Sequence, residues 1–256
     1  MRCLFCIMVM VCLAGIPAAW GQSARDIVAA ADRVRNPSEP YRTRLTITEY
    51  VQTKPRDQTV IVVWSKEDPA TRQFRNLVRY VEPPRDLGKL ALLDGQNLWF
   101  YDPAAKASVR VSTQQRLVGQ ASIGDVLTVN LAVDYTATIL GEETISDGDR
   151  QRRNCWHLDL RAANTSAVYS QVEYWVERGT FRPIKQKFYS DSGRVLKALY
   201  YRSFAPRMGV ERPGEAVIVD AVDASLVTTV RFDMPVAQII PDAWYQRDYL
   251  PRAKPE

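Results

Sequence analysis

The chain has 256 residues, 46% hydrophobic, 25% charged and 10% aromatic, which is the balance of a folded globular protein and not of a disordered one. Its formal charge of +5 is dispersed along the chain, without the focused basic stripe that nucleic acid demands, so no nucleic-acid partner is expected. Histidine occurs once, at His157. That excludes sites needing two imidazoles, HExxH zinc hydrolases among them, and no metal or cofactor is expected.

Residues 1–21 read as a secretory signal peptide. Arg2 opens the segment, an apolar run follows from Leu4 to Ile16, and Ala19 and Gly21 are the small residues at −3 and −1. Pro17 interrupts the run before it reaches the roughly 20 apolar residues of a membrane anchor. Cys3, Cys6 and Cys12 fall inside the segment, and the bulky Val11 before Cys12 argues against lipidation there. A chain beginning at Gln22 keeps Cys155 alone and forms no internal disulfide. It is expected to be periplasmic and soluble, as a single domain over residues 22–256.

The domain opens on a helix. Ser23 and Asp26 form a capping pattern, Ile27, Ala30, Ala31 and Val34 fall on one face, and Asn36-Pro37 stops it. From Tyr41 the period becomes two: Tyr41, Thr43, Leu45 and Ile47 alternate with Arg42, Arg44, Thr46 and Thr48, the pattern of a half-buried strand. Strands are expected next at 59–65 and 72–82. A hairpin should follow from 89–93 and 97–101 around Asp94-Gly95, and then a strand at 108–111. Ser122 and Asp125 cap a second helix running to Asp134, with Ile123, Val126, Leu127 and Leu131 as its apolar stripe. Strands resume at 135–145, 154–161, 168–177, 181–189, 195–204, 215–221 and 226–232, separated by Gly-rich turns.

About a dozen antiparallel strands with two or three helices must curl into a barrel or split into a sandwich. A curled sheet of that size tends to enclose a cavity, whereas a sandwich would be filled. The residues expected on the inward face are Trp64, Phe74, Val78, Tyr80, Leu90, Leu92, Trp99, Tyr101, Trp156, Leu158, Tyr174, Phe188, Val230 and Phe232. No charge lies among them, so any cavity should be apolar; a filled core remains the alternative.

Three blocks carry a family resemblance. They are Tyr80-Val81-Glu82-Pro83-Pro84 leading to Leu98-Trp99-Phe100-Tyr101-Asp102-Pro103, Asp134-Tyr135 leading to Leu140-Gly141-Glu142-Glu143, and Tyr169 to Trp175 leading to Arg182-Pro183-Ile184 and Phe188-Tyr189-Ser190. In order and spacing they resemble the LolA-like outer-membrane lipoprotein-sorting proteins. The resemblance implies an unclosed antiparallel β-barrel of about 11–13 strands covered by helices. It also implies a periplasmic carrier that binds lipid or lipoprotein acyl chains and shuttles them between membranes, with the 122–134 helix as a lid. Some such proteins accompany membrane transporters of the hydrophobe-exporting type, so a non-carrier accessory docking on one is the second reading. The dedicated lipoprotein carriers use a cavity arginine; here Arg42 and Arg44 fall on the opposite strand face from the expected cavity.

No catalytic residue is expected. Cys155, His157 and Asp159 share one strand face, but residues two apart on a strand lie nearly 7 Å from each other, and a nucleophilic thiolate needs an adjacent base. Glu142-Glu143 and Asp147-Gly148-Asp149 read as solvated turns, and Arg150, Arg152 and Arg153 as a hairpin tip. Asn164-Thr165-Ser166 matches a glycosylation sequon. No GxGxxG, P-loop or GxSxG occurs.

Overall fold

The computed structural model describes residues 22–165, 167–253 and 255. The expected signal segment with its three cysteines, and Ser166 of the sequon, lie outside the described residues.

Helix α1 (Ala24–Arg35) begins where the capping pattern placed it, with the Ser23 hydroxyl accepting from the Asp26 amide at 3.2 Å. Its stripe buries Ile27, Val28, Ala30 and Ala31. The chain then enters a meander of β1 (Tyr41–Val51), β2 (Lys54–Glu67), β3 (Phe74–Glu82), β4 (Leu90–Asp94), β5 (Asn97–Asp102) and β6 (Ala107–Val111). A small hairpin, β7 (Arg116–Val118) with β8 (Ala121–Ser122), leads into α2 (Ile123–Val126) and α3 (Leu131–Asp134). The second meander comprises β9 (Tyr135–Ser146), β10 (Arg152–Ala162), β11 (Gln171–Glu177), β12 (Pro183–Tyr189) and β13 (Val195–Arg202). After a hairpin of β14 (Ala205–Arg207) and β15 (Val210–Arg212) it continues through β16 (Glu215–Asp220), β17 (Leu226–Phe232) and the short β18 (Val236–Ala237).

One antiparallel sheet runs in the order β6-β5-β4-β3-β2-β1-β17-β16-β13-β12-β11-β10-β9, with β18 pairing onto β1. The two meanders therefore meet at β1 and β17, where Leu45 opposes Phe232 and Ile47 opposes Val230. β6 and β9 are the two free edges, so the sheet curls without closing. Its concave face clasps α1, α2 and α3 in one continuous core. This is the mainly β, unclosed antiparallel barrel covered by few helices.

Three features differ from expectation. The 122–134 segment is two single-turn helices joined by an extended stretch, because side-chain amides on β3 and just before it take over its backbone hydrogen bonds. Asn76 holds both the Thr128 amide (3.1 Å) and the Thr128 carbonyl (2.9 Å), and Gln73 does the same for Asn130 at 2.7 and 3.2 Å. Asn and the β-branched Thr128 and Val129 favour helix weakly, so these outside partners win. The small hairpins β7–β8 and β14–β15 carry too few residues for a readable period.

The third difference is a second hydrophobic cluster on the convex face. Trp64, Leu90, Leu92 and Tyr101 are buried there, with Trp99 against them, beneath the C-terminal residues Ile240, Tyr245 and Leu250. Their expected place was the concave face. Strand β4 is buried on both sides over Leu90 to Leu93, so no polar phase marks which parity points inward. Register decides it: Val63 opposes Val78 on the inside while Trp64 opposes Leu77 on the outside. Trp64 meets Trp244 edge to face at 5.9 Å, and the Arg247 guanidinium lies 4.5 Å from the Trp99 ring.

Candidate functional site

Of the remaining inward candidates, Val78, Tyr80, Leu158, Tyr174, Phe188 and Val230 are buried in the concave core, with Trp156 and Phe232 packed at its margin. Phe74 is buried at the start of β3, outside that core. The lid residues Ile123, Val126, Leu127 and Leu131 all point into the core.

Two pockets open within this face. The outer one, of about 80 Å³, includes Leu45, Val126, Leu127, Leu199 and Phe232 in its walls. The inner one, of about 30 Å³, includes Leu127, Leu131, Val172 and Phe188. Arg35, Asp125, Leu127, Leu199 and Tyr201 are common to both, so the two adjoin. Sites that hold small molecules measure roughly 300–1,000 Å³. Segment 122–134 packs its apolar residues into the concave face.

Polar contacts hold the lid down. Besides Asn76 and Gln73, α1 contributes three side chains from its last turn. Asp32 Oδ2 accepts from the Ala132 amide at 2.9 Å, while Arg35 Nη2 and Asn36 Nδ2 donate to the Val129 carbonyl at 2.5 and 2.9 Å. Tyr41 shares a 2.6 Å hydroxyl contact with Thr128. At the other end, Asp125 caps α2 by accepting from the Ser122 amide at 2.7 Å, receives the Tyr169 hydroxyl at 2.9 Å, and is paired with Lys197. Lys197 also donates to the Gln120 carbonyl at 2.9 Å.

The walls are not wholly apolar, contrary to expectation. Arg35, Arg207 and Arg212 all line the outer pocket. Arg35 pairs with Asp32 at 3.0 Å, and burial raises the Asp32 carboxyl above its ordinary range. Burial likewise raises the phenols of Tyr174 and Tyr201 behind it, so these stay neutral. Arg35 had a legible signal: it continues the Ile27, Ala31 stripe at the next i+4 step, an arginine on an apolar face. Arg42 and Arg44 remain outside the pocket, Arg44 pairing with Glu82 at 2.9 Å. Arg207 and Arg212 belong to the β14–β15 hairpin and had no such signal.

On the convex face, Cys155 is fully buried with Trp175 and Ile184, and burial pushes its thiol up to about 12. His157 stacks on Trp175 at 4.3 Å, with Nε2 3.4 Å from Glu173. A thiol so protonated is a poor nucleophile. Among the described residues, no group of three or more His, Cys, Asp or Glu side chains is placed to hold a metal. No described helix is long and apolar enough to cross a membrane.

A family model described only as that of an uncharacterized protein matches residues 72–252. Among solved structures, the chain resembles a LolA superfamily protein from Nitrosomonas europaea, with 29% identity and a TM-score of 0.79 over 89% of this chain and 99% of that one. It also superposes on a DUF1329 family protein from Desulfovibrio piger at 17% identity and a TM-score of 0.73, covering 89% of this chain and 97% of that one. A domain described as an outer membrane lipoprotein-sorting protein from Vibrio parahaemolyticus gives 14% identity and a TM-score of 0.73, over 90% of this chain and 98% of that one. The last two likenesses are of fold alone. No curated protein matches the chain in sequence.

Proposed function

The chain belongs to the LolA-like family, and from that premise we propose that it is a periplasmic, non-enzymatic carrier that takes up lipid or lipoprotein acyl chains beneath its lid and surrenders them at a membrane or to a transporter. The observation that carries this reading is how the concave face is closed. A largely apolar half-barrel is covered by a segment, 122–134, tied down through side-chain hydrogen bonds. It is not a strand of the sheet.

Magnitudes favour exchange of lid for cargo. An acyl chain of about 15 methylenes gains on the order of 12 kcal/mol on leaving water, at about 0.8 kcal/mol per methylene. Each hydrogen bond holding the lid contributes a net of only about 1 kcal/mol, since water replaces it on opening. Lifting the segment also uncovers Ile123, Val126, Leu127 and Leu131, at about 1.5–3 kcal/mol each, so opening costs about as much as burying a chain returns, and that near balance permits both uptake and release. Non-directional burial also tolerates variation in chain length, which suits a carrier.

Leu127, shared by both pockets, is the place to test it. Leu127→Asp sets a carboxylate against the buried chain, and retention of a fluorescent fatty acid should fall at least tenfold while circular dichroism stays native. Undiminished retention in a folded variant would remove the lid from the mechanism. A second reading draws on the small volume of the closed pockets: a filled half-barrel that docks as an accessory on a hydrophobe-exporting membrane transporter. It would show a stable transporter complex and no uptake of lipid.

A further inference from the structure

The outer pocket sets two unneutralised guanidinium groups beside an apolar wall. Arg212 is only 5% exposed, and its hydrogen bonds all go to backbone carbonyls: Nε to Arg207 at 3.1 Å, Nη1 to Arg33 and Val34 at 2.8 Å each. Arg207 donates Nη1 to the Phe232 carbonyl at 2.9 Å, and its Nε is buried without an acceptor. Neither arginine forms an ion pair with any described carboxylate. The acids nearby are committed or distant: Asp125 is paired with Lys197 and Asp32 with Arg35. Asp233 lines the same pocket at its exposed rim without forming an ion pair to either arginine.

Arginine does not shed its proton in a protein, and a buried charge without a partner is costly. Desolvation indeed lowers the Arg212 pKa. Capping the carbonyls at the end of α1 accounts for the contacts of Arg212, because the helix C-terminus carries about half a negative charge. It does not account for Arg207 beside it, which reaches one carbonyl and leaves Nε bare. The same pocket has an apolar part, which includes Leu45, Leu199, Ala216 and Phe232.

We propose that the outer pocket is the headgroup end of the cavity, selecting amphiphiles with an anionic head. A carboxylate or phosphate sits against Arg207 and Arg212, and the chain runs inward past Leu199 and Tyr201 towards Phe188 under the lid. This rests on the carrier reading and narrows its cargo. Planar guanidinium forks suit either oxyanion, so chain and head must be varied separately.

Calorimetric titration of the purified, delipidated protein with palmitate, hexadecyl phosphate and hexadecanol does this, with acetate and inorganic phosphate as heads lacking a chain. At least one of the two anionic amphiphiles should bind tenfold or more tighter than hexadecanol, and which of them does identifies the head. The chain-free anions should bind at least a hundredfold more weakly. Arg207→Gln should bring the anionic amphiphile down to the level of hexadecanol and leave hexadecanol unchanged. Arg212→Gln should act likewise if it folds; the Arg207 variant, which leaves the α1 cap intact, decides the matter if it does not. Equal binding of all three amphiphiles, or an Arg207→Gln protein with undiminished preference, overturns the headgroup assignment and leaves the carrier reading standing. Binding of acetate or phosphate as tight as that of the amphiphiles overturns it too. Failure of every amphiphile to bind removes the carrier reading with it.

Discussion

Asn76 is fully buried and serves both the sheet, where it accepts from the Ser65 hydroxyl at 2.8 Å, and segment 122–134. Its amide occupies the N–H and the C=O of Thr128 at once, which is how a neighbouring strand would pair, supplied here by one side chain. Replacing it by alanine strands both backbone groups, and a buried unsatisfied group costs about 1–3 kcal/mol. Asn76→Ala is therefore expected to lose stability of that order in urea unfolding. A variant as stable as the parent would show that the lid finds other partners. Such contacts could not be read from the sequence, because an Asn in a strand has no periodic meaning and its partner lies 52 residues away. The arginines show both cases. Arg35 on an apolar helix stripe was readable in principle, whereas Arg207 and Arg212 become wall residues only after a hairpin of two three-residue strands folds back onto α1.

At the scale of the element, the proposed lid is held by side chains and not by a sheet ladder. It has two single-turn helices, Ile123–Val126 and Leu131–Asp134, and neither is long enough to be stable by itself. Its hold comes from α1, β3 and the Asp125–Lys197 pair. Segments secured by side-chain contacts open locally more readily than a sheet interior. In hydrogen exchange, amides of 122–134 should therefore exchange faster than those of β1, β2 and β17, and slow when a fatty acid is added. Exchange as slow as the central strands in the unliganded protein would make the segment part of a rigid core. The expected continuous helix missed this because an apolar stripe with a good N-cap describes a helix only while the backbone bonds to itself.

At the scale of the whole molecule, the two faces of the sheet divide the work. The convex cluster of Trp64, Leu77, Leu92 and the C-terminal Tyr245 and Leu250 packs against β2–β5 on the side away from the pockets. Leu250→Ala is expected to cost about 2–5 kcal/mol as a large-to-small core change while leaving fatty-acid affinity unaltered in thermal and binding assays. Loss of affinity in step with stability would join the two faces into one unit. The antiparallel strands were legible in the run of alternating segments and Gly turns, but that pattern left barrel and sandwich open, the unclosed barrel came from the family resemblance, and the pairing of β1 with β17 had no local signal. What covers the convex face was not legible, since residues 238–253 show no strand or helix period and β4 is apolar on both sides. The most direct measurement of the carrier reading is native mass spectrometry of the protein recovered from the periplasm without detergent, followed by lipid extraction. A carrier should show a bound mass of hundreds of daltons that is lost on denaturation and recovered as a lipid in the extract. A bare polypeptide mass that also takes up neither added fatty acid nor phospholipid would contradict it.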